Sequence, residues 1–369
     1  MTSSQESSKF DSTRTSVKDV ESLAGLFHPH AIEVQDFSYY ALILDVRPQS
    51  EFDDDHIPGA VRLATTGLPV VTGDAQPMSA ELARDGGAEV ALPPDLTTLV
   101  APVKLDQAIL VYCGRGGRDS LAVARMLRWR GWTVDVLPGG WSNYRRWVQA
   151  GLESLPRLIA FRVVTAPLGG EMARFLAGLA SAGQQVLDVG ALAEWRVGAV
   201  IATASVPPTQ SRFESRLLQA LRQIDPRRPV WVADADRQLG AVSLPGALMD
   251  ALAVAPTVAL ACPLAERLAR WREDEPHLDG SFDDILQVAA TLTASTGPPL
   301  GDGERGQSDA ASLLSRMLAD RDEQWRLRAG VQRSQQRELP ALVTPSLEPD
   351  RLLEAIEKWL PSVQASGRG

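Results

Sequence analysis

Cys113 stands in the run ILVYCGRGGRDS, Ile109 to Ser120, where an apolar stretch ends at a thiol and a glycine- and arginine-rich loop begins. The glycines let the backbone curl, and a helix starts within a few residues. Successive backbone N–H groups and the helix N-terminus are then aimed into the loop. Such a nest stabilises a thiolate, and loop cysteines of this kind have a pKa lowered to about 3.5–7.5. It would equally hold the terminal sulfur of a persulfide or an incoming oxyanion. The competing reading is an inert buried thiol, for which Gly-Arg-Gly-Gly-Arg is a poor environment. Cys113 is therefore the candidate catalytic residue, with Arg115, Gly116, Gly117, Arg118 and Ser120 as an anion-binding loop. Cys262 lies in VALACPLA, at an apolar strand end, and reads as structural. Two cysteines make neither a four-thiolate zinc site nor a disulfide framework. His56 has no second metal-type ligand nearby, so no metal site is expected.

The charge pattern points the same way as the thiol. The chain carries a formal charge of −9, which argues against a wholesale nucleic-acid coat. Between residues 113 and 148, however, Arg115, Arg118, Arg125, Arg128, Arg130, Arg145 and Arg146 face only Asp119 and Asp135. Clustered arginine beside a thiol suggests an anionic substrate or RNA phosphate. A solvated helix face is the alternative. Trp129, Trp132, Trp141, Tyr144 and Trp147 are interleaved with these arginines and would either stack RNA bases or belong to the core. A second basic stretch, with Arg321, Arg326, Arg328, Arg333 and Arg337, is equally open.

The elements that must position the thiol follow from hydrophobic patterning. At 369 residues and 44% apolar, the chain has room for two or three domains. Short apolar runs at Ala41–Val46, Ile109–Tyr112 and Thr133–Leu137 read as strands. Ser120–Arg130 and Ser142–Ala150 read as helices, and Thr65–Pro102 as loops with one short helix. A second unit shows strands at Ala160–Thr165, Gln185–Val189, Val230–Ala233 and Thr257–Ala261, with helices at Glu171–Ala182 and Thr209–Gln223. Alternating strands and helices predict α/β architecture with parallel sheets. The expected division is a disordered tail over 1–16, a first domain over 17–152, a second over 153–294, a linker over 295–309, and a mostly helical segment over 310–369 with a strand near Ala341–Thr344. The most apolar charge-free stretch, Ala251–Ala265, is broken by Pro256 and Pro263. A membrane span needs about 20 such residues. The Ser/Thr-rich start with Glu6 and Asp11 suits neither a signal nor a transit peptide. A cytoplasmic protein is expected.

Three ordered motifs make the first domain similar to the rhodanese family. DVRPQSEFDDDHIPGA holds Asp45, Arg47, Glu51, Phe52, His56, Ile57, Pro58 and Gly59; CGRGGRDS follows as the active-site loop, and LPGGWSNYRRW as the closing strand-turn-helix. The resemblance implies that Cys113 carries sulfur as a persulfide, with Asp45 and Arg47 in support. Arg118 stands five residues after the cysteine, as in ordinary rhodanese loops. Phosphatases of the same fold usually have one more residue there. That spacing favours sulfur or selenium over phosphoryl chemistry.

With its second half, the chain resembles the tRNA 2-selenouridine synthase family, which joins a rhodanese-like domain to a P-loop NTPase-like α/β domain. The family's loop C-x-R-G-G-x-R-S is met by Cys113, Arg115, Gly116, Gly117 and Ser120, with Asp119 in place of the second arginine and Arg118 one position before it. Downstream, Asp188, Leu192, Ala193 and Arg196, then Pro208, Gln210, Phe213 and Glu214, then Asp234, Arg237 and Gly240 match the family's runs. The phosphate-binding loop departs from it. A working loop reads G-x-x-x-x-G-K-[ST], in which Lys reaches the phosphates and the hydroxyl binds Mg²⁺. Here Ala166 replaces the first glycine, Glu171 the second, Met172 the lysine and Ala173 the hydroxyl residue. Trp195 stands for the family's histidine, Val197-Gly198 for Gly-Ser, and Ala233 and Ala235 for acidic residues. Nucleotide binding and a permanently bound cofactor are not expected.

The resemblance implies a sulfur/selenium transferase acting on wobble 2-thiouridine of tRNA, with selenophosphate or a sulfur donor as co-substrate. In the family the reaction passes through a geranylated intermediate, and the degenerate loop argues against that step here. Two alternatives stand beside it. One is a simple rhodanese sulfurtransferase with a non-catalytic second domain. The other is a non-enzymatic RNA or protein binding module.

Overall fold

Parallel strands cannot be joined by hairpins, so each crossover needs a helix or long connection, and the chain obeys that rule in both of its units. The computed structural model describes residues 37–64, 92–115, 117–167, 171–195, 207–274 and 336–366, with isolated positions between 315 and 323. By its contacts the chain divides into one unit of residues up to 150, apart from 50–58, and a second of 50–58 with 151 onward.

The first unit is built on β1 (Tyr40–Asp45), β2 (Val61–Arg62), β3 (Ala108–Tyr112) and β4 (Thr133–Val136), in the order β2-β1-β3-β4 and parallel throughout. β3 is buried at every position and lies between β1 and β4, which is why it reads as one apolar run without alternation. Helices α2 (Pro94–Val100), α3 (Arg118–Trp129) and α4 (Gly140–Ser154) belong to this region of the sequence. α3 lays Val123, Ala124, Met126 and Leu127 into a core with Leu44, Val46, Ile109, Val111 and Val134. The short helix expected between Thr65 and Pro102 is α2. The turn into α4 requires its glycines: Gly139 and Gly140 have φ of +67° and +55°, a region that side-chain-bearing residues avoid. A Cβ on Gly139 would also lie 2.9 Å from that of Asn143.

The second unit is a five-stranded parallel sheet. Its strands are β5 (Phe161–Thr165), β6 (Gln185–Leu187), β7 (Val230–Ala233), β10 (Thr257–Ala261) and β11 (Leu342–Val343), ordered β11-β10-β5-β7-β6. A small antiparallel ribbon, β8 (Gln238–Leu239) with β9 (Val242–Ser243), stands apart. Helix α5 (Glu171–Ser181) follows β5, and the short α6 (Val189–Leu192) is capped by Asp188, whose Oδ1 accepts from Ala191 N at 2.9 Å. α7 (Gln210–Arg222) begins where Thr209 Oγ1 accepts from Arg212 N at 3.1 Å. α8 (Gly246–Ala253), α9 (Leu264–Asp274) and α10 (Pro349–Ser366) also belong to the unit.

Two features differ from the sequence reading. The C-terminal stretch was expected as a segment of its own, and its described part folds into the second unit. β11 is the strand expected near Ala341–Thr344, and it pairs with β10. Leu352, Ile356, Trp359 and Val363 of α10 join Phe175, Leu179 and Trp231 in one core. A two-residue strand has no periodicity to read, and the apolar face of α10 does not name its partner. The second difference is the signature segment Ser50–Pro58, which contains most of α1 (Gln49–Asp54). Its contacts place it with the second unit: Asp55 Oδ2 accepts from Ser215 Oγ at 2.8 Å, and Arg212 Nη2 lies 3.3 Å from Nδ1 of His56. His56 stacks on Phe52 at 4.0 Å between centroids. The tail and the linker lie outside the described residues.

Candidate active site

β3 ends at Tyr112, so Cys113 is the first residue beyond the sheet, and α3 opens at Arg118. Its side chain is buried, with 7% of its surface exposed. The Gly117 amide donates to Cys113 Sγ at 3.0 Å, and Ser120 Oγ lies 3.2 Å from the sulfur. Burial alone would push the thiol up. The Ser120 hydroxyl and the amides of Gly117, Arg115 and Ser120 act against it, and the net result is a pKa below the ordinary thiol value. Ser120, itself buried, also places Oγ 3.1 Å from the Gly117 carbonyl. A hydroxyl has one proton. It serves that carbonyl while the thiol is protonated, and turns to Sγ when the thiolate forms.

The backbone of the loop is fixed from the other side. The amide of Trp141 donates to the Cys113 carbonyl at 2.8 Å, and that of Ser142 to the Gly114 carbonyl at 3.0 Å. The closing motif LPGGW therefore grips the cysteine loop directly. The sequence reading had the glycines curling the loop, and at Gly117 the structure corrects this. Its φ of −100° is open to any residue, and a Cβ there or on Gly114 would meet nothing within 4 Å. What Gly117 contributes is its amide.

Asp45 and Arg47 form a buried ion pair, with Arg47 Nη2 2.7 Å from Asp45 Oδ2 and Arg47 Nε 3.0 Å from Asp45 Oδ1. Tyr112 donates its hydroxyl to Asp45 Oδ2 at 2.7 Å, and the Arg47 guanidinium sits 3.9 Å from the Trp141 ring centroid. Burial disfavours the Arg47 charge, yet the hydrogen bonds and charge of Asp45 prevail and hold its pKa above the ordinary value. The pair thus ties the end of β1 to Tyr112 and Trp141, the neighbours of Cys113 in sequence and in hydrogen bonding. The sequence reading gave Tyr112 and Trp141 no part in holding this ion pair. Their signal was present as the residue before the thiol and the first residue after the double-glycine turn.

Arg115 and Arg118 are exposed and make no ion pair among the described residues. Gly116 lies outside those residues. Tyr144 and Trp147 are buried against Phe37, so they belong to the core, while Trp129 is 48% exposed. Cys262 is half-buried and packs against the core of the second unit. No cluster of three or more His, Cys, Asp or Glu suited to a metal occurs among the described residues. None of the described helices is long and apolar enough to cross a membrane.

At the position of a phosphate-binding loop, between β5 and α5, Ala166 and Met172 pack against the apolar core and Ala173 is exposed. These residues supply neither a cation nor a hydroxyl, so they do not fit a magnesium-bound nucleotide or diphosphate.

Residues 31–146 match the rhodanese-like domain, and residues 163–277 match the tRNA 2-selenouridine synthase AAA domain. Among curated proteins, the tRNA 2-selenouridine synthase of Nitrosomonas europaea is 27% identical over 63% of this chain and 63% of its own length. That of Aeromonas salmonicida is 27% identical over 75% of this chain and 74% of its own, and that of Bdellovibrio bacteriovorus 27% over 66% and 64%. Two of these three matches thus span under two thirds of the relative. With both domains matched, in this order, the chain is similar to the tRNA 2-selenouridine synthase family.

Proposed function

We propose that this protein is a transferase that carries sulfur on Cys113 and acts on tRNA, where with selenophosphate as donor the sulfur of a wobble 2-thiouridine leaves and selenium takes its place. The observation that carries the reading is the thiolate cradle, in which the Gly117 amide and the Ser120 hydroxyl meet one sulfur at the head of α3. The relatives named above, each a tRNA 2-selenouridine synthase, support the acceptor. With thiosulfate as donor, the Cys113 thiolate attacks the outer sulfur. A sulfur–sulfur bond forms at Sγ, the bond to the sulfonate sulfur breaks, and sulfite leaves with the bonding pair. Arg115 and Arg118, exposed at the loop, meet the anionic donor; selenophosphate is the donor the selenium reaction would use. Intact-protein mass should rise by one sulfur with thiosulfate and fall back with reductant. Cys113→Ser should abolish the gain and Cys262→Ser should keep it, and the reverse result would overturn the site. Mass analysis of tRNA nucleosides from cells with and without the protein tests the acceptor: absence of any change in 2-thio- or 2-selenouridine would overturn it.

One observation favours a second reading, a simple sulfurtransferase whose second unit is non-catalytic. Ala166 and Met172 are committed to the apolar core where a phosphate cradle would be needed. In that case Cys113 loads sulfur as above while the 2-selenouridine content of tRNA does not depend on the protein.

A further inference from the structure

α3 begins at the cysteine loop and carries its arginines at exposed positions. Its buried positions are Ser120, Ala122, Val123, Ala124, Met126 and Leu127, while Arg118, Leu121, Arg125, Arg128 and Trp129 are exposed. At about 100° per residue those five fall within one arc roughly 100° wide. Asp119 is exposed as well, but projects about 100° away from Arg118. The arc runs about 16 Å along the helix axis from Arg118 to Trp129. At its far end the Trp129 indole is 48% exposed and the Arg130 guanidinium lies 5.9 Å from its ring centroid. Arg128 is anchored by its Nε, which donates to the Val134 carbonyl at 2.8 Å, and keeps its charge at the surface. Asp135, the other acidic residue of this stretch, accepts from the Tyr40 hydroxyl at 3.0 Å.

We propose that this outward face of α3 is the surface on which the RNA docks, its arginines on successive phosphates and Trp129 under an unpaired base. The inference rests on the reading that tRNA is the acceptor. A small anionic donor needs charges converging on the thiol, whereas this stripe leads away from it for about 16 Å, a length suited to a polyanion. The protein's overall charge of −9 repels RNA at long range. Charges are screened beyond about 10 Å at 0.1 M salt, so a local arginine stripe is felt where the distant acidic surface is not. Exposed tryptophan interleaved with arginine fits RNA better than an acidic protein, because every base offers a π-face and every linkage a phosphate.

Fluorescence anisotropy of labelled tRNA with the full-length protein, over a series of salt concentrations, tests the proposal. Arg125→Ala should weaken binding and reduce the slope of log K against log salt by about one, and Arg125→Lys should restore the slope. Trp129→Ala should weaken binding by about 5- to 150-fold with little change in slope. Sulfur loading of Cys113 by thiosulfate, read by intact mass, verifies that each variant is folded. If the wild type binds tRNA and all three variants match it in affinity and slope, the docking face is wrong and the acceptor reading stands. If the wild type does not bind tRNA and the nucleoside analysis shows no change, both fall. Equal competition by polyglutamate, with no effect of Trp129→Ala, would assign the face to an acidic protein and overturn the RNA assignment.

Discussion

The protonation of Cys113 is decided by a contest between burial, which favours the neutral thiol, and donors that favour the anion. The donors win, so the thiolate exists at a pH where an ordinary thiol is neutral. Ser120→Ala removes one of them. The alkylation rate of Cys113 by iodoacetamide, followed against pH, should then show its midpoint shifted upward. At neutral pH the rate should drop by about tenfold or more, since a hydrogen bond to a charged group contributes about 1.5–3 kcal/mol. An unmoved midpoint would mean that the serine only holds the loop. The linkage has a definite sign. A folded-state pKa below the unfolded one adds stability that is complete above the unfolded value and disappears as pH falls through the folded one. The stability difference between wild type and Ser120→Ala should therefore shrink on acidification.

Among the elements, α10 shows what a helix gains from a partner that lies far off in sequence. Ile356 and Val363 are fully buried, and the Trp359 ring packs 5.6 Å from that of Trp231 on β7. The sequence reads as mostly helical over 310–369, without bounds for this helix, and does not tell which sheet it covers. Ile356→Ala should destabilise the second unit by about 2–5 kcal/mol, the range for truncating a buried isoleucine, as measured by urea denaturation. A loss within about 0.5 kcal/mol, the usual range for surface positions, would mean the helix is peripheral. The hairpin β8–β9 and helices α8 and α9 escaped the sequence reading. The hairpin strands are two residues each, too short to alternate. In α8 the apolar residues GALMDALA run around the helix without a clear polar face.

For the molecule as a whole, a thiol loop together with a stretch without the lysine and hydroxyl of a phosphate cradle sets the expected ligands. A micromolar ligand needs about 8 kcal/mol, and an exposed helix N-terminus supplies about 0.3–1 kcal/mol toward an anion. Met172 and Ala173 add neither cation nor hydroxyl to close that gap. Calorimetric titration with Mg²⁺ and ATP, GTP or geranyl diphosphate should show no binding at micromolar concentration. A dissociation constant below about 10 μM, corresponding to about 7 kcal/mol, would reveal another cradle and restore the full synthase reaction.

The thiol loop was readable because its interactions are local: Gly117 and Ser120 reach Cys113 across four and seven residues. The order of strands and helices was readable for the same reason, since each apolar run declares its own burial. The departure from the phosphate-loop pattern was legible in residue types alone, as methionine and alanine lack the needed charge and hydroxyl. Other features depended on contacts between distant residues. Asp45 meets Tyr112 across 67 positions, and Trp141 closes over Arg47 only once β1, β3 and α4 have come together. Likewise, a segment that reads as part of the first domain, Ser50–Pro58, keeps its contacts with the second. Periodicity reports which face of an element is buried, and it carries no information about what buries it; that is decided when the sheets assemble.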